Sequence, residues 1–275
     1  MNIDPAEQPC VLHANPAIGE RGDLHLYLPE SPRPAPFVLG IHGGGWSRGD
    51  QSAYTFLWPK LRPLGIGLVL ASYRLAPEHP FPAAYDDLLF TLRWLSEHGA
   101  EHQLDTGRCA LFGGSAGGHL TMLLASRASA ENQPRPTLRG IAQYCGIMDT
   151  AAQWAWDGEC NSQMTRQFLT DSPEEAPERH RAASPLHHLH TGMPPVWMAH
   201  GSADPTVPFQ PSLQVADRLR ALGHDIIFHE ARGLGHTLCD TAPDGKNLEP
   251  IEILFERDLL RFFHRTLKCE EMASR

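Results

Sequence analysis

The 275-residue chain contains no apolar stretch approaching membrane-spanning length. It also lacks any cluster of Lys and Arg. With 23 basic against 32 acidic side chains its formal net charge is −9. That balance disfavours long-range attraction to nucleic acid or to an anionic membrane, and neither is expected as a partner. None of the six cysteines (Cys10, Cys109, Cys145, Cys160, Cys239 and Cys269) forms a Cys-x-x-Cys pair. Two fall in apolar, strand-like runs, so they read as small core residues and not as a disulfide framework. Met1 to Pro9 carries neither the basic nor the apolar region of a secretory leader, and a soluble cytoplasmic protein is the expectation. There is no internal repeat and no linker long enough to split the chain. One domain over residues 1–275, with residues 149–194 as a cap-like insertion, is the simplest account.

The 41% hydrophobic and 20% charged content is ordinary for a globular protein large enough to bury a sizeable core. Residues Met1 to Gly22 show no period and read as an arm over the surface. Asp23 to Leu28 alternates and suits a half-buried strand. Phe37 to Ile41, Ile66 to Ser72, Cys109 to Phe112, Gly140 to Tyr144 and Pro195 to Ala199 are apolar without alternation, as parallel strands covered on both faces are. Asp225 to Glu230 is the last strand. Between them, helices are expected over Tyr54 to Leu64, from Phe81 to about Gly99, after Ser115, over Leu213 to Leu222, and over Asn247 to Leu267. Strands alternating with helices predict an α/β fold with a mostly parallel sheet flanked by helices. Asp149 to Pro194 breaks this rhythm, with one possible helix around Gln163 to Leu169.

Chemistry concentrates where strands end. Cys109 to Phe112 runs into Gly113-Gly114-Ser115-Ala116-Gly117, and Leu120, Leu123, Leu124 and Ala128 then follow at helical spacing. A strand, a G-x-S-x-G turn and a helix form the context in which a serine is exposed on a strained turn near a helix N-terminus. The alternative is a glycine-rich turn with an incidental serine. A serine nucleophile needs a base, and the base an orienting carboxylate. In an open α/β sheet these lie beyond the carboxyl ends of later strands. Asp204, in a Gly-Ser-Ala-Asp-Pro turn, and His236, in Gly233-Leu-Gly-His236, occupy those places, in the order expected for such an architecture. Three glycines at 43 to 45, directly after a strand, let backbone N–H groups converge on a developing oxyanion, and Ala116 supplies another.

His42-Gly-Gly-Gly-Trp46, Tyr73 to Asp87 (YRLAPEHPFPAAYDD) and Gly113-Gly-Ser-Ala-Gly-Gly118 resemble the motifs of α/β-hydrolase-fold carboxylesterases, in the hormone-sensitive-lipase-like and acetyl-esterase branch. His200 to Pro208 resembles the acid turn of the related bifunctional acetylxylan and feruloyl esterases. The resemblance runs from about residue 23 to the C-terminus. It implies Ser115 as nucleophile, His236 as general base and acid, and Asp204 as the group orienting His236. The backbone N–H groups of Gly44, Gly45 and Ala116 would form the oxyanion hole, with His42 bracing the loop. Gly114 stands where the lipase-like branch usually carries an acidic residue.

The expected function is therefore hydrolysis of short-chain acyl esters of small molecules by a serine carboxylesterase, with no cofactor and no metal. Within hydrolases, the competing readings are a carbohydrate (acetylxylan or feruloyl) esterase and a kynurenine-formamidase-like amidase. A non-catalytic ligand-binding protein on the same fold is the competitor from another class. Trp46, Trp154, Trp156, Met164 and Phe168 are candidates to line the substrate pocket, with ordinary packing as the alternative for the insertion residues. Asp149 is a second candidate triad acid, Glu230 reads as a strand end, and Asp86 and Asp87 as caps or partners of Arg74. His187-His188-x-His190 lies in a Pro-flanked loop without a carboxylate pattern that would favour a metal.

Overall fold

The computed structural model describes residues 8–31, 33–130, 135–156, 162–238 and 255–268. Eight strands form one sheet: β1 (Cys10–His13), β2 (Asp23–Tyr27), β3 (Ala35–Ile41), β4 (Gly67–Ala71), β5 (Leu104–Gly114), β6 (Leu138–Tyr144), β7 (Val196–Gly201) and β8 (Ile226–Ala231). Their order across the sheet is β1-β2-β4-β3-β5-β6-β7-β8. β1 pairs with β2, and β2 with β4, antiparallel; every pairing from β4 through β3 to β8 is parallel. The unalternating apolar runs are the parallel strands, because both faces of the sheet are covered.

Along β3 the period of two sends Phe37, Leu39 and Ile41 to one core cluster and Val38 to the other. The first cluster packs under α2 (Ala83–His98) and α3 (Ala116–Ala130) through Leu88, Leu92, Leu120 and Leu123. The opposite face meets a C-terminal helix, Glu256–Lys268, through Leu259, Phe262 and Phe263. Cys109 and Cys145 are buried with free thiols, as small core residues should be, and Cys10 is exposed and also free.

The structure corrects two elements of the sequence reading. The arm before Gly22 contributes β1, a four-residue edge strand with one buried side chain, too short to show a period. Tyr54 to Leu64 is not one helix. Pro59 and Pro63 break it into a 3-10 turn, a four-residue helix α1 (Trp58–Leu61) and a second 3-10 turn. The closing helix begins at Glu256, and residues 247–254 lie outside the described residues. Between β6 and β7 the described residues form three short helices, α4 (Thr150–Ala155), α5 (Ser162–Leu169) and α6 (Pro177–Ala183), followed by α7 (Phe209–Ala221) after β7. Numbered in chain order, Glu256–Lys268 is α8. Among the described residues no helix is long and apolar enough to cross a membrane.

Candidate active site

Strand β5 delivers Ser115 to the carboxyl edge of the sheet, where its φ of 56° places it in the left-handed region that non-glycine residues rarely adopt. The turn is held on both sides: the Ser115 N–H donates to the Tyr144 carbonyl (2.9 Å), and its own carbonyl accepts from the His119 N–H (2.9 Å). One residue earlier, the Gly114 N–H donates to the Tyr54 hydroxyl oxygen at 2.8 Å. A Cβ at Gly114 would lie 2.0 Å from Cζ of Tyr144 and 2.5 Å from its hydroxyl oxygen. The space that a side chain at position 114 would take is filled by the Tyr144 phenol.

Asp204 and His236 meet Ser115 from the ends of β7 and β8. His236 Nε2 lies 3.0 Å from Ser115 Oγ, and its Nδ1 lies 2.8 Å from Asp204 Oδ2. Asp204 is buried, and its Oδ1 accepts from the N–H groups of Thr206 (2.7 Å) and Val207 (2.9 Å). Its Oδ2 has a second imidazole partner that sequence reasoning missed, His200 Nε2 at 3.1 Å. The same Nε2 lies 3.2 Å from the Val207 carbonyl, which can only accept, so it carries the proton; Nδ1 then accepts from the Ser212 hydroxyl at 2.7 Å. Burial pushes the Asp204 carboxyl up, but the hydrogen bonds from His200 and His236, attraction to His236 and the Val207 N–H outweigh it. The carboxyl is held well below the usual range and stays ionised.

Cys145, His200 and Asp204 are the one group of three potential metal ligands among the described residues. Burial and the neighbouring Asp204 push the Cys145 thiol up, so it stays protonated. His200 and Asp204 already spend their ligand atoms on hydrogen bonds.

The glycine loop approaches from the end of β3. Gly44 (φ 104°) and Gly45 (φ 59°) take positive φ, which turns their N–H groups without a Cβ in the way. As the first residue of α3, Ala116 offers one of the N–H groups that a helix cannot satisfy internally. His42 supports the loop from below: Nδ1 donates to the Gly43 carbonyl (2.8 Å), and Nε2 accepts from Ser72 Oγ (2.9 Å). Its ring stacks on Tyr73, centroids 4.3 Å apart, and the Tyr73 hydroxyl donates to the His42 carbonyl (3.0 Å). Burial lowers the His42 pKa to about 4, with the Gly43 bond opposing, so the brace is neutral at pH 7. Trp46 also takes positive φ (58°), costly for a bulky side chain. Its Nε1 donates to His119 Nδ1 (3.1 Å) and its ring stacks on Phe168 (4.2 Å), while His119 Nε2 donates to the Ala183 carbonyl (2.6 Å). Burial lowers the His119 pKa to about 4 as well.

A cavity of about 510 Å³ opens over Ser115 and His236. Of the five expected lining residues, Trp46 and Met164 border it; Met164 roofs the glycine loop, its sulfur 2.0 Å from where a Cβ at Gly45 would stand. The other three are corrected. Phe168 is fully buried behind Trp46, Trp154 packs on His180 beneath the Arg166 guanidinium, and Trp156, 37% exposed, donates its Nε1 to the Pro205 carbonyl at 3.0 Å. The phase of short helices decided this, and the sequence of an insertion without a clean period does not carry that phase. Tyr54, Phe56, Tyr144, Ile147 and Gln153 line the cavity instead.

The remaining candidates have structural partners. Asp149 caps α4, accepting from the N–H groups of Ala151 (2.9 Å) and Ala152 (3.2 Å), and Asp87 forms a forked pair with Arg74. Glu230 lies on β8, as expected. His188 and His190 direct their Nε2 atoms at backbone carbonyls.

A family model described as alpha/beta hydrolase fold matches residues 38–240. An esterase of Gibberella moniliformis is 27% identical over 219 residues, 75% of this chain and 68% of that protein. Esterase LipI of Mycobacterium tuberculosis is 29% identical over 212 residues, 74% of this chain and 65% of LipI. The match therefore spans about two thirds of these relatives' own length. Among solved structures, a truncated form of a carbohydrate esterase from gut microbiota superposes with a TM-score of 0.77 at 18% identity, covering 96% of this chain and 99% of that one, a likeness of fold.

Proposed function

Since the chain belongs to the α/β-hydrolase-fold family, we propose that it is a serine carboxylesterase acting on short-chain acyl esters through Ser115, His236 and Asp204. The observation that carries this reading is the unbroken hydrogen-bonded chain from Ser115 Oγ through His236 to a buried, ionised Asp204, opening into a largely apolar cavity. Ser115 Oγ attacks the ester carbonyl as its proton passes to His236 Nε2. The oxyanion of the tetrahedral intermediate accepts from the N–H groups of Gly44, Gly45 and Ala116. As the C–O bond breaks, His236 returns the proton to the departing alcohol, leaving an acyl-Ser115. Water then gives a proton to His236 and attacks the acyl carbon, and collapse releases the acid and restores the serine hydroxyl. Asp204 remains ionised throughout and holds His236 in the tautomer with Nε2 facing Ser115. The segment 149–194 acts as a cap: Met164 closes the cavity over the glycine loop, which supports small acyl groups.

Turnover of a p-nitrophenyl acyl-ester series by wild type and Ser115→Ala tests this. The substitution is expected to lower kcat by a factor on the order of 10⁴–10⁶. A Ser115→Ala variant with near-normal turnover would end the nucleophile assignment, and a preference for long acyl chains would end the short-chain reading.

A further inference from the structure

Arg48 borders the cavity over Ser115 and His236, just beyond the glycine loop. The turn fixes where its side chain starts: the N–H groups of Ser47 and Arg48 both donate to the Gly44 carbonyl at 3.2 Å. Its Cγ lies 2.8 Å from where a Cβ at Gly44 would stand, so the stem runs along a residue whose N–H the esterase reading gives to the oxyanion. The side chain is exposed and makes no ion pair among the described residues. None of the described lining residues is acidic, and the one other side chain there that can carry positive charge is His236, whose imidazole is held by Asp204 and Ser115. Asp50, two residues on, is the acid of this turn. Its Oδ1 accepts from the N–H (2.8 Å) and the hydroxyl (2.5 Å) of Ser52, and its charge is offset by Arg21.

Arg48 is therefore a permanent, accessible cation beside an otherwise largely apolar cavity, in a chain whose net charge is −9. Such a chain repels anions at long range, but within a Debye length, about 8 Å at physiological salt, the nearest charges set the potential. A guanidinium also presents a planar fork of donors that fits a carboxylate. We propose that Arg48 pairs with a carboxylate of the substrate, so that the preferred substrates are short-chain esters carrying a carboxylate a few bonds from the scissile carbonyl. An uncharged ester in the same cavity leaves the guanidinium to water. The proposal rests on the esterase reading above and adds to it the charge of the substrate.

The test measures kcat/KM by pH-stat for two pairs of esters in which a methyl ketone replaces the carboxylate. Monoethyl succinate with ethyl 4-oxopentanoate carries the charge on the acid portion, and 4-acetoxybutanoate with 5-acetoxypentan-2-one carries it on the alcohol portion. The reading is the ratio of charged to ketone ester, compared between wild type and variants so that intrinsic reactivity cancels. In at least one pair Arg48→Gln should lower that ratio about fivefold, the upper end for an exposed ion pair. Arg48→Glu should lower it further, and Arg48→Lys should keep most of it. The pair that responds identifies which portion of the ester bears the carboxylate. Raising the salt should shrink the wild-type ratio in the same pair, a readout that needs no variant to fold. Ratios unmoved by salt and by both Arg48→Gln and Arg48→Glu in both pairs, or wild-type turnover of the ketone esters alone, overturn the proposal while leaving the esterase reading intact. No hydrolysis of any of these esters, together with no labelling of Ser115 by a fluorophosphonate, overturns both.

Discussion

Introducing an acidic residue, or even a methyl group, at position 114 is expected to damage the site. Gly114 is the last residue of β5 and does not require positive φ, so alanine meets no backbone penalty there. The obstacle is Tyr144. A Cβ would stand 2.0 Å from Cζ, and the ring must retreat by about 1.4 Å to reach the 3.4 Å of ordinary contact. The half-buried Tyr144 ring packs on Phe112 on one side and lines the cavity on the other, so its retreat disturbs either the core or the site. Tyr54 receives the Gly114 N–H. Overpacking of this kind costs about 1–3 kcal/mol, so Gly114→Ala should melt a few degrees below wild type. The adjacent Ser115 shifts with the strand end, and a displacement near 1 Å lowers catalysis by about 10²-fold. Thermal melts and kcat/KM on p-nitrophenyl acetate should be measured for Gly114→Ala, Tyr144→Ala and the pair. The double variant should be no worse than Tyr144→Ala alone, because the clash is gone. A Gly114→Ala protein with wild-type melting and activity, or a double variant whose losses simply add, refutes the reasoning.

Two further outcomes follow from the buried histidines and their carboxylate. Asp204→Asn must turn an NH₂ toward either two backbone N–H groups or two imidazole N–H groups, so His236 loses its tautomer, and kcat should drop on the order of 10⁴-fold; single-turnover kinetics with less than a tenfold loss would contradict it. His42 and His119 titrate near 4 in the folded protein against ~6.5 unfolded. Between those values the unfolded chain binds more protons, so stability falls as pH drops from 6.5 towards 4 and is flat above, by on the order of 3 kcal/mol for each histidine. Urea denaturation at pH 7.5 and pH 5 should show a smaller difference in His119→Gln than in wild type; equal differences would remove His119 from the account.

The sheet and the places of Ser115, Asp204 and His236 were legible because both write themselves in contiguous residues. An unalternating apolar run such as Phe37 to Ile41 has few destinies but a covered strand; Ser115 and Asp204 each follow such a run, and His236 follows the last strand. What escaped depends on relations between distant residues or on very short elements. The four residues of β1 hold one buried side chain and no period. His200 looks like any strand residue until the turn to Asp204 brings its imidazole back onto the carboxylate. Gly114 stood out as a departure from a motif, but its reason lies thirty residues away in Tyr144. The pocket aromatics were misplaced because which face of a six-residue helix points inward is set by what it packs against, and Trp154 found His180 and Arg166 instead of substrate.

Trp46 has a consequence for exchanging parts between relatives. Its ring and Nε1 bind Phe168 of α5 and His119 of α3, and His119 binds the Ala183 carbonyl of α6. The segment between β6 and β7 is therefore no interchangeable module to be swapped at its ends for another specificity. A chimera that imports a foreign segment must import partners for Trp46 and His119 with it, or the glycine loop loses its seat along with the old pocket. Natural variation in substrate choice is then expected to proceed at positions such as Gln153 and Met164, which face the cavity without belonging to that joint.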